Sequence, residues 1–226
     1  FFFSLFLFVR FKGTMKSQIK SLEVQNTANT ALTCKWSAVY RGYWDDQFIN
    51  DFTPKSVQRP QSPYMNKAYF YRHCVLESVV ESLLIQANRT IENLPNQRVQ
   101  LVILGSGMDS RALRYLQDPR KYQLAVFEVD LEHNIHEKIA CLRKSQITKE
   151  AFPEWELPAG NPPMQYQPSD KAHVVAQVGR HSLLAADLRA PPGELLGALA
   201  RAGLDPGQPT VVLAECVLTY MPPSST

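Results

Sequence analysis

The chain has 226 residues, 45% of them hydrophobic, with 24 basic against 21 acidic side chains and a formal charge of +3. That length suits one α/β domain with a substantial core and is too short for two comfortable ones. The charge is too balanced to argue for a nucleic-acid groove, and Cys34, Cys74, Cys141 and Cys216, scattered without a Cys-x-x-Cys pair, argue against a zinc knuckle, a redox motif or a disulfide framework. They read as reduced thiols in a cytoplasmic protein.

Residues 1–23 read as an apolar stub followed by a flexible N-terminus. Phe1 to Val9 is almost wholly apolar, but that is about half of the ~20 residues that span a bilayer, and no basic region precedes it. It resembles sequence from outside the reading frame more than a targeting segment, with Met15 the first internal start. Lys12 to Asn29 is polar and expected to be loosely docked. We read residues 24–226 as a partial domain, in which 24–94 form a helical cap. Leu32, Trp36 and Val39 predict a short helix ending at Gly42, and Tyr43 to Ile49 a second one with Asp45 or Asp46 at its start. The clearest helix runs from about Met65 to Ala87, with Tyr69, His73, Leu76, Val80, Leu83 and Ile85 on its apolar face.

Residues 98–226 carry four expected strands. Leu101-Val102-Ile103-Leu104 reads as a strand buried on both faces, and Gly105-Ser106-Gly107 turns it into a helix beginning near Arg111. Such a turn lets a ligand approach the backbone at a helix N-terminus, although by itself it also suits a turn with no ligand. Ser110 stands where a dinucleotide fingerprint wants a third glycine, and Asp109 puts a carboxylate where a pyrophosphate would sit. S-adenosylmethionine, a phosphate-free cation, tolerates that charge better than a nicotinamide dinucleotide does. The second strand, Leu124 to Asp130, ends in an acid suited either to ribose hydroxyls or to capping the helix that follows. On that helix His133 and His136, without a third ligand in view, read as solvated residues, and no metal site is expected.

The proline-rich insert at 145–180 shows no sustained period and is expected to be a lid or loop, anchored by Trp155 and Tyr166. Ser182 to Leu188 reads as the third strand, again with an acid, Asp187, near its end. Pro191-Pro192 open a helix that Gly203 stops, and Thr210 to Glu215 is the fourth strand. In a parallel sheet these ends converge on one edge, the crevice where ligands bind.

Several segments in this order, Cys34-Lys35, Arg41-Gly42-Tyr43-Trp44, Tyr69-Phe70-Tyr71-Arg72, Leu104 to Asp109, Phe127-Glu128-Val129-Asp130, Ala186 to Arg189 and Ala214 to Met221, resemble the successive motifs of leucine carboxyl methyltransferases. The resemblance implies an α/β, Rossmann-like, S-adenosylmethionine-dependent enzyme with N-terminal helices, its sheet incomplete because the chain stops after the fourth strand. It implies methylation of the C-terminal leucine carboxylate of the protein phosphatase 2A catalytic subunit. The related tRNA wybutosine-synthesising methyltransferase, or an inactive fragment of either, is the alternative, and only the tRNA enzyme would bring a nucleic-acid partner.

The same resemblance places Gly105 and Gly107 beneath the cofactor's amino-acid end, Asp130 at its ribose, Asp187 and Leu188 around adenine, and Glu215 at its ammonium. Arg72 is implied to bind a carboxylate, the cofactor's or the acceptor's, with Lys35 and Tyr220 near the acceptor. A terminal carboxyl, with a pKa of ~3.3–3.7, arrives ionised, so no general base is needed. What such a site must supply is alignment and cations that grip the anion.

Overall fold

The computed structural model describes residues 21–92, 94, 97–118, 123–155 and 172–221. The apolar runs anticipated as strands are strands: β1 (Val99–Leu104), β2 (Leu124–Asp130) and, nearer the end of the chain, β4 (His181–Ala186) and β5 (Thr210–Ala214). They pair in parallel in the order β4-β2-β1-β5, with Val102 opposite both Phe127 and Val212. Alternate residues serve two layers. Leu101, Ile103 and Val126 face the larger cluster with the N-terminal helices, and Val102, Phe127 and Val129 face a smaller one with Ala198 and Leu199. Both faces are covered, which is why these strands read as continuous apolar runs.

A fifth strand corrects the loop expected across 145–180. Ala172–Val178 forms β3, antiparallel to β4 at the sheet edge, and Gln146–Ala151 is a short helix, α6. A register shift between Val174 and Ala176 interrupts β3's alternation, which hides its period in the sequence. Trp155 does act as an anchor, stacking on Phe152 with ring centroids 4.1 Å apart, and Tyr166 lies outside the described residues.

Helix α1 (Ser21–Tyr40) begins earlier than expected, so residues 21–29, read as loose, are helical. The helix expected at Tyr43 is instead a turn, with α2 confined to Ile49–Phe52. Tertiary contacts hold that turn: Trp44 stacks on His73 with centroids 4.4 Å apart, and the Asp46 carboxylate accepts from the Phe48 N–H and the Ser110 hydroxyl. Helix α3 (Pro63–Ile91) starts where Ser62 accepts from the Met65 N–H and proline occupies the first turn. Its buried stripe is Leu76, Val80 and Leu84, whereas Ile85, expected on the apolar face, is exposed. Helix α4 (Arg111–Leu116) follows the glycine turn, α5 (Glu132–Lys144) follows β2, and α7 (Pro192–Arg201) packs on β3 and β4. The strand expected to reach Leu188 stops at Ala186, because Asp187 turns the chain by accepting from the Ala190 N–H. Among the described residues no helix is long and apolar enough to cross a membrane.

Candidate functional site

The tips of β1, β2, β4 and β5 share one edge, and the chain there is tied together before any ligand is considered. Gly105 has φ +65°, and a Cβ on it would lie 2.6 Å from Val217 Cγ2, so the turn after β1 rests on the chain leaving β5. The Asp130 carboxylate accepts from the Gly107 N–H at 2.6 Å, from the Leu131 N–H at 2.7 Å and from Asn134 Nδ2 at 2.7 Å. One acid thus fixes the glycine turn against the start of α5. Between the glycines, Ser106 Oγ is buried without a hydrogen-bond partner among the described residues.

Beside this edge lies a small cleft walled by α1, α3, the start of α4 and the end of β5. Each contributes charge. Glu215, just past β5, receives Arg72 Nε at 2.5 Å, Arg111 Nη1 at 3.2 Å and Lys35 Nζ at 3.8 Å. Lys35 also donates to Asp109 at 2.7 Å, and Asp109 in turn accepts from the Arg111 backbone N–H at 2.8 Å. Arg114 bonds Glu77 at 2.8 Å behind them. Arg111 is only 2% exposed, its Nε 3.6 Å from a Glu77 oxygen, whereas the side chains of Lys35 and Arg72 are 19% and 28% exposed and reach in from the helical cap.

These contacts set the protonation states. Burial by itself would raise the Glu215 carboxyl, but Lys35, Arg111 and Arg72 hold it down at about 2. Asp109 likewise stays well below the usual carboxylate range despite burial, through Arg111 and Lys35. Burial lowers His73 to about 4, helped by Arg114, and raises the Tyr69 hydroxyl to about 12. Burial raises the Asp46 carboxyl against the pull of Ser110 and Arg114. Near neutral pH Glu215 and Asp109 are therefore ionised, while His73 and Tyr69 are uncharged.

Of the residues singled out from the sequence, Lys35, Arg72 and Glu215 meet in this cleft, although 143 positions separate Arg72 from Glu215. Gly105, Gly107 and Asp130 meet one another at the adjoining strand tips. Asp187 is 39% exposed on its side chain and bound by Arg189 Nη2 at 2.5 Å, while Leu188 packs against the smaller core cluster. Tyr220 lies in a short 3₁₀ helix, and its side chain is outside the described residues. Arg111, Arg114, Glu77 and Asp46 were not anticipated. An arginine at the head of a short helix carries no periodic signal that it turns inward. His133 and His136 sit instead beside Glu137 and Glu132, at 3.5 and 3.7 Å.

A mainly parallel sheet with a glycine turn and acids at its strand tips, under a helical cap, is the arrangement of a Rossmann-like methyltransferase. The chain belongs to the leucine carboxyl methyltransferase family, whose model matches residues 23–226. It is 27% identical to leucine carboxyl methyltransferase 1 of Yarrowia lipolytica, over 90% of this chain and 62% of that protein. The corresponding figures for leucine carboxyl methyltransferase 1 of Rattus norvegicus are 26%, 90% and 55%. With the tRNA wybutosine-synthesizing protein 4 of Rattus norvegicus it shares 32% identity, over 94% of this chain and 29% of that protein. The chain spans a little over half the length of the two carboxyl methyltransferases.

Proposed function

We propose that this chain carries the catalytic site of an S-adenosylmethionine-dependent carboxyl O-methyltransferase. The acceptor is the C-terminal leucine carboxylate of the protein phosphatase 2A catalytic subunit, and the setting is cytoplasmic. The observation that carries this reading is the convergence of Arg72, Arg111 and Lys35 on one carboxylate at the strand tips. Three cations around one carboxylate are the donor set an ionised carboxyl acceptor needs.

The residues present also suit the cofactor. When bound, S-adenosylmethionine supplies a methyl group activated on a sulfonium. Glu215 offers an ionised acid for its ammonium, Asp130 an acid for its ribose hydroxyls, and the unpartnered Ser106 hydroxyl a further polar contact in the glycine turn. Asp187 and Leu188 line the adenine end, while Lys35, Arg72 and Tyr220 take the acceptor side. The protein's own work is to orient an anion that needs no general base, and to grip it without protonating it. Half-buried walls around the cleft raise the strength of those contacts.

A second reading keeps the chemistry and changes the acceptor: the 32% identity to a tRNA wybutosine-synthesizing protein supports a modified tRNA base. One experiment separates them. Labelled methyl transfer from S-adenosylmethionine is measured to the phosphatase catalytic subunit, to the same subunit lacking its terminal leucine, and to tRNA. The proposal requires label on the intact subunit alone; label on tRNA alone replaces it with the second reading.

A further inference from the structure

Three successive residues of β2 hold the turn that follows β1. The Val129 carbonyl accepts from the Gly105 N–H at 2.8 Å and from the Ser106 N–H at 3.1 Å, and the Asp130 carboxylate accepts from the Gly107 N–H. Glu128 acts through an intermediary. Its carboxylate holds the Lys138 ammonium in a short bond, and Lys138 Nζ donates as well to the Asp109 backbone carbonyl at 2.7 Å. Lys138 comes from α5, one helical turn beyond Asn134, whose Nδ2 steadies Asp130 at 2.7 Å. The segment from Gly105 to Asp109 is thus fixed at its start by strand backbone and at its end by a lysine.

Lys138 and Glu128 are both fully buried, and a lysine so placed is ordinarily explained by charge compensation alone. Burial by itself would raise the Glu128 carboxyl, and Lys138 with His181 keeps it below its usual range. The bond to Asp109 is additional to that pairing. A carbonyl is neutral and needs no countercharge; what it gains from a buried ammonium is a fixed direction. Direction matters at Asp109, because its carboxylate accepts from Lys35 Nζ at 2.7 Å and from the Arg111 N–H at 2.8 Å. Releasing the carbonyl frees the peptide between Asp109 and Ser110 to rotate and loosens the turn on which that carboxylate stands.

We propose that Lys138 is a positioning residue of the cofactor site, tethering the Asp109 carbonyl so that the glycine turn and Lys35 stay in register with the strand tips. This rests on the methyltransferase reading above and adds to it a residue that touches neither cofactor nor acceptor. The two duties of Lys138 separate by substitution. An apolar pair in place of Glu128 and Lys138 needs no compensation, so the fold keeps its stability, yet that pair offers Asp109 no donor. Loss of one charge-assisted hydrogen bond from the turn corresponds to about tenfold in affinity for what the turn binds.

The test pairs urea unfolding with calorimetric titration of S-adenosylhomocysteine, both on the full chain. Glu128→Leu combined with Lys138→Met should regain most of the stability that Lys138→Met alone loses, and still bind S-adenosylhomocysteine about tenfold more weakly than wild type. His181→Leu loosens the same buried cluster but keeps the Lys138 bond to Asp109, so it should lose stability and bind at wild-type affinity. Set beside Lys138→Met, it carries the comparison where the double variant does not fold. Wild-type affinity in a stable double variant, or equal weakening by His181→Leu and Lys138→Met, overturns the inference: Lys138 is then a compensating charge only, and the enzyme class stands. A wild-type chain that does not bind S-adenosylhomocysteine overturns the cofactor reading, and this inference with it.

Discussion

Glu128, fully buried, and Glu215, its side chain 11% exposed, are both acids at or near the ends of parallel strands, and each is held by basic side chains from other elements. Around Glu128, on β2, Lys138 and His181 are 0% and 2% exposed, with His181 Nε2 at 2.7 Å and Lys138 in a short bond. Around Glu215 the partners Arg72 and Lys35 are 28% and 19% exposed on their side chains. The first set is sealed between sheet and helix, so its charges can only compensate one another. The second opens on one side, so its partners can be exchanged. Asp109 joins the two: its carbonyl accepts from Lys138 at 2.7 Å and its carboxylate from Lys35 at 2.7 Å. The inner set holds the loop that the outer set uses.

That contrast makes ordered predictions. Lys138→Met leaves Glu128 buried without its strongest partner and should cost about 3–5 kcal/mol in urea unfolding. Pairing it with Glu128→Leu should recover most of that loss, and a double variant as unstable as the single one would deny that the inner cluster is a matter of compensation. Arg72→Ala removes an exchangeable partner instead. It should lower methyl transfer about 100-fold, the effect of losing one charge-assisted contact of about 2.7 kcal/mol, with little change in stability. Activity and acceptor affinity both at wild-type level would take Arg72 out of the site.

Gly105→Ala combines a left-handed backbone with the Val217 contact and should destabilise by about 1–3 kcal/mol on thermal unfolding. His73, which burial lowers to about 4, gives a pH signature. In the unfolded chain it takes its proton at about 6.5. Stability should therefore decline as pH falls from about 6.5 toward 4, and His73→Gln should flatten that part of the curve; Glu215, at about 2, continues the loss below the ordinary carboxylate range. Smallest of all, Arg189→Ala breaks an exposed pair with Asp187 and should change stability by less than about 0.5 kcal/mol.

Much of the sheet was legible because strands covered on both faces must be apolar along their whole length, as Val99–Leu104 and Leu124–Asp130 are. β3 was not, because its register shift breaks the alternation that marks a strand. The turn at Tyr43 was misread as helix because the contacts that hold it, to His73 and Ser110, come from elsewhere in the fold. For the site, the strand-tip acids could be proposed from spacing, whereas Lys35 and Arg72 came from family motifs, since nothing local links α1 and α3 to the end of β5. Arg111 escaped both routes: a guanidinium buried by distant acids looks, in the sequence, like any surface arginine.

The outer side of β5 bears on how the cleft is finished. Thr210–Ala214 bonds to β1 on one side and has no strand on its other side among the described residues. A strand laid along that free flank would run next to the backbone that ends in Glu215. The ion-pair lattice and the flank beside it are thus separable inheritances: one is fixed by the helical cap and the strand tips, and the other is open to a neighbour that need not touch a single charge.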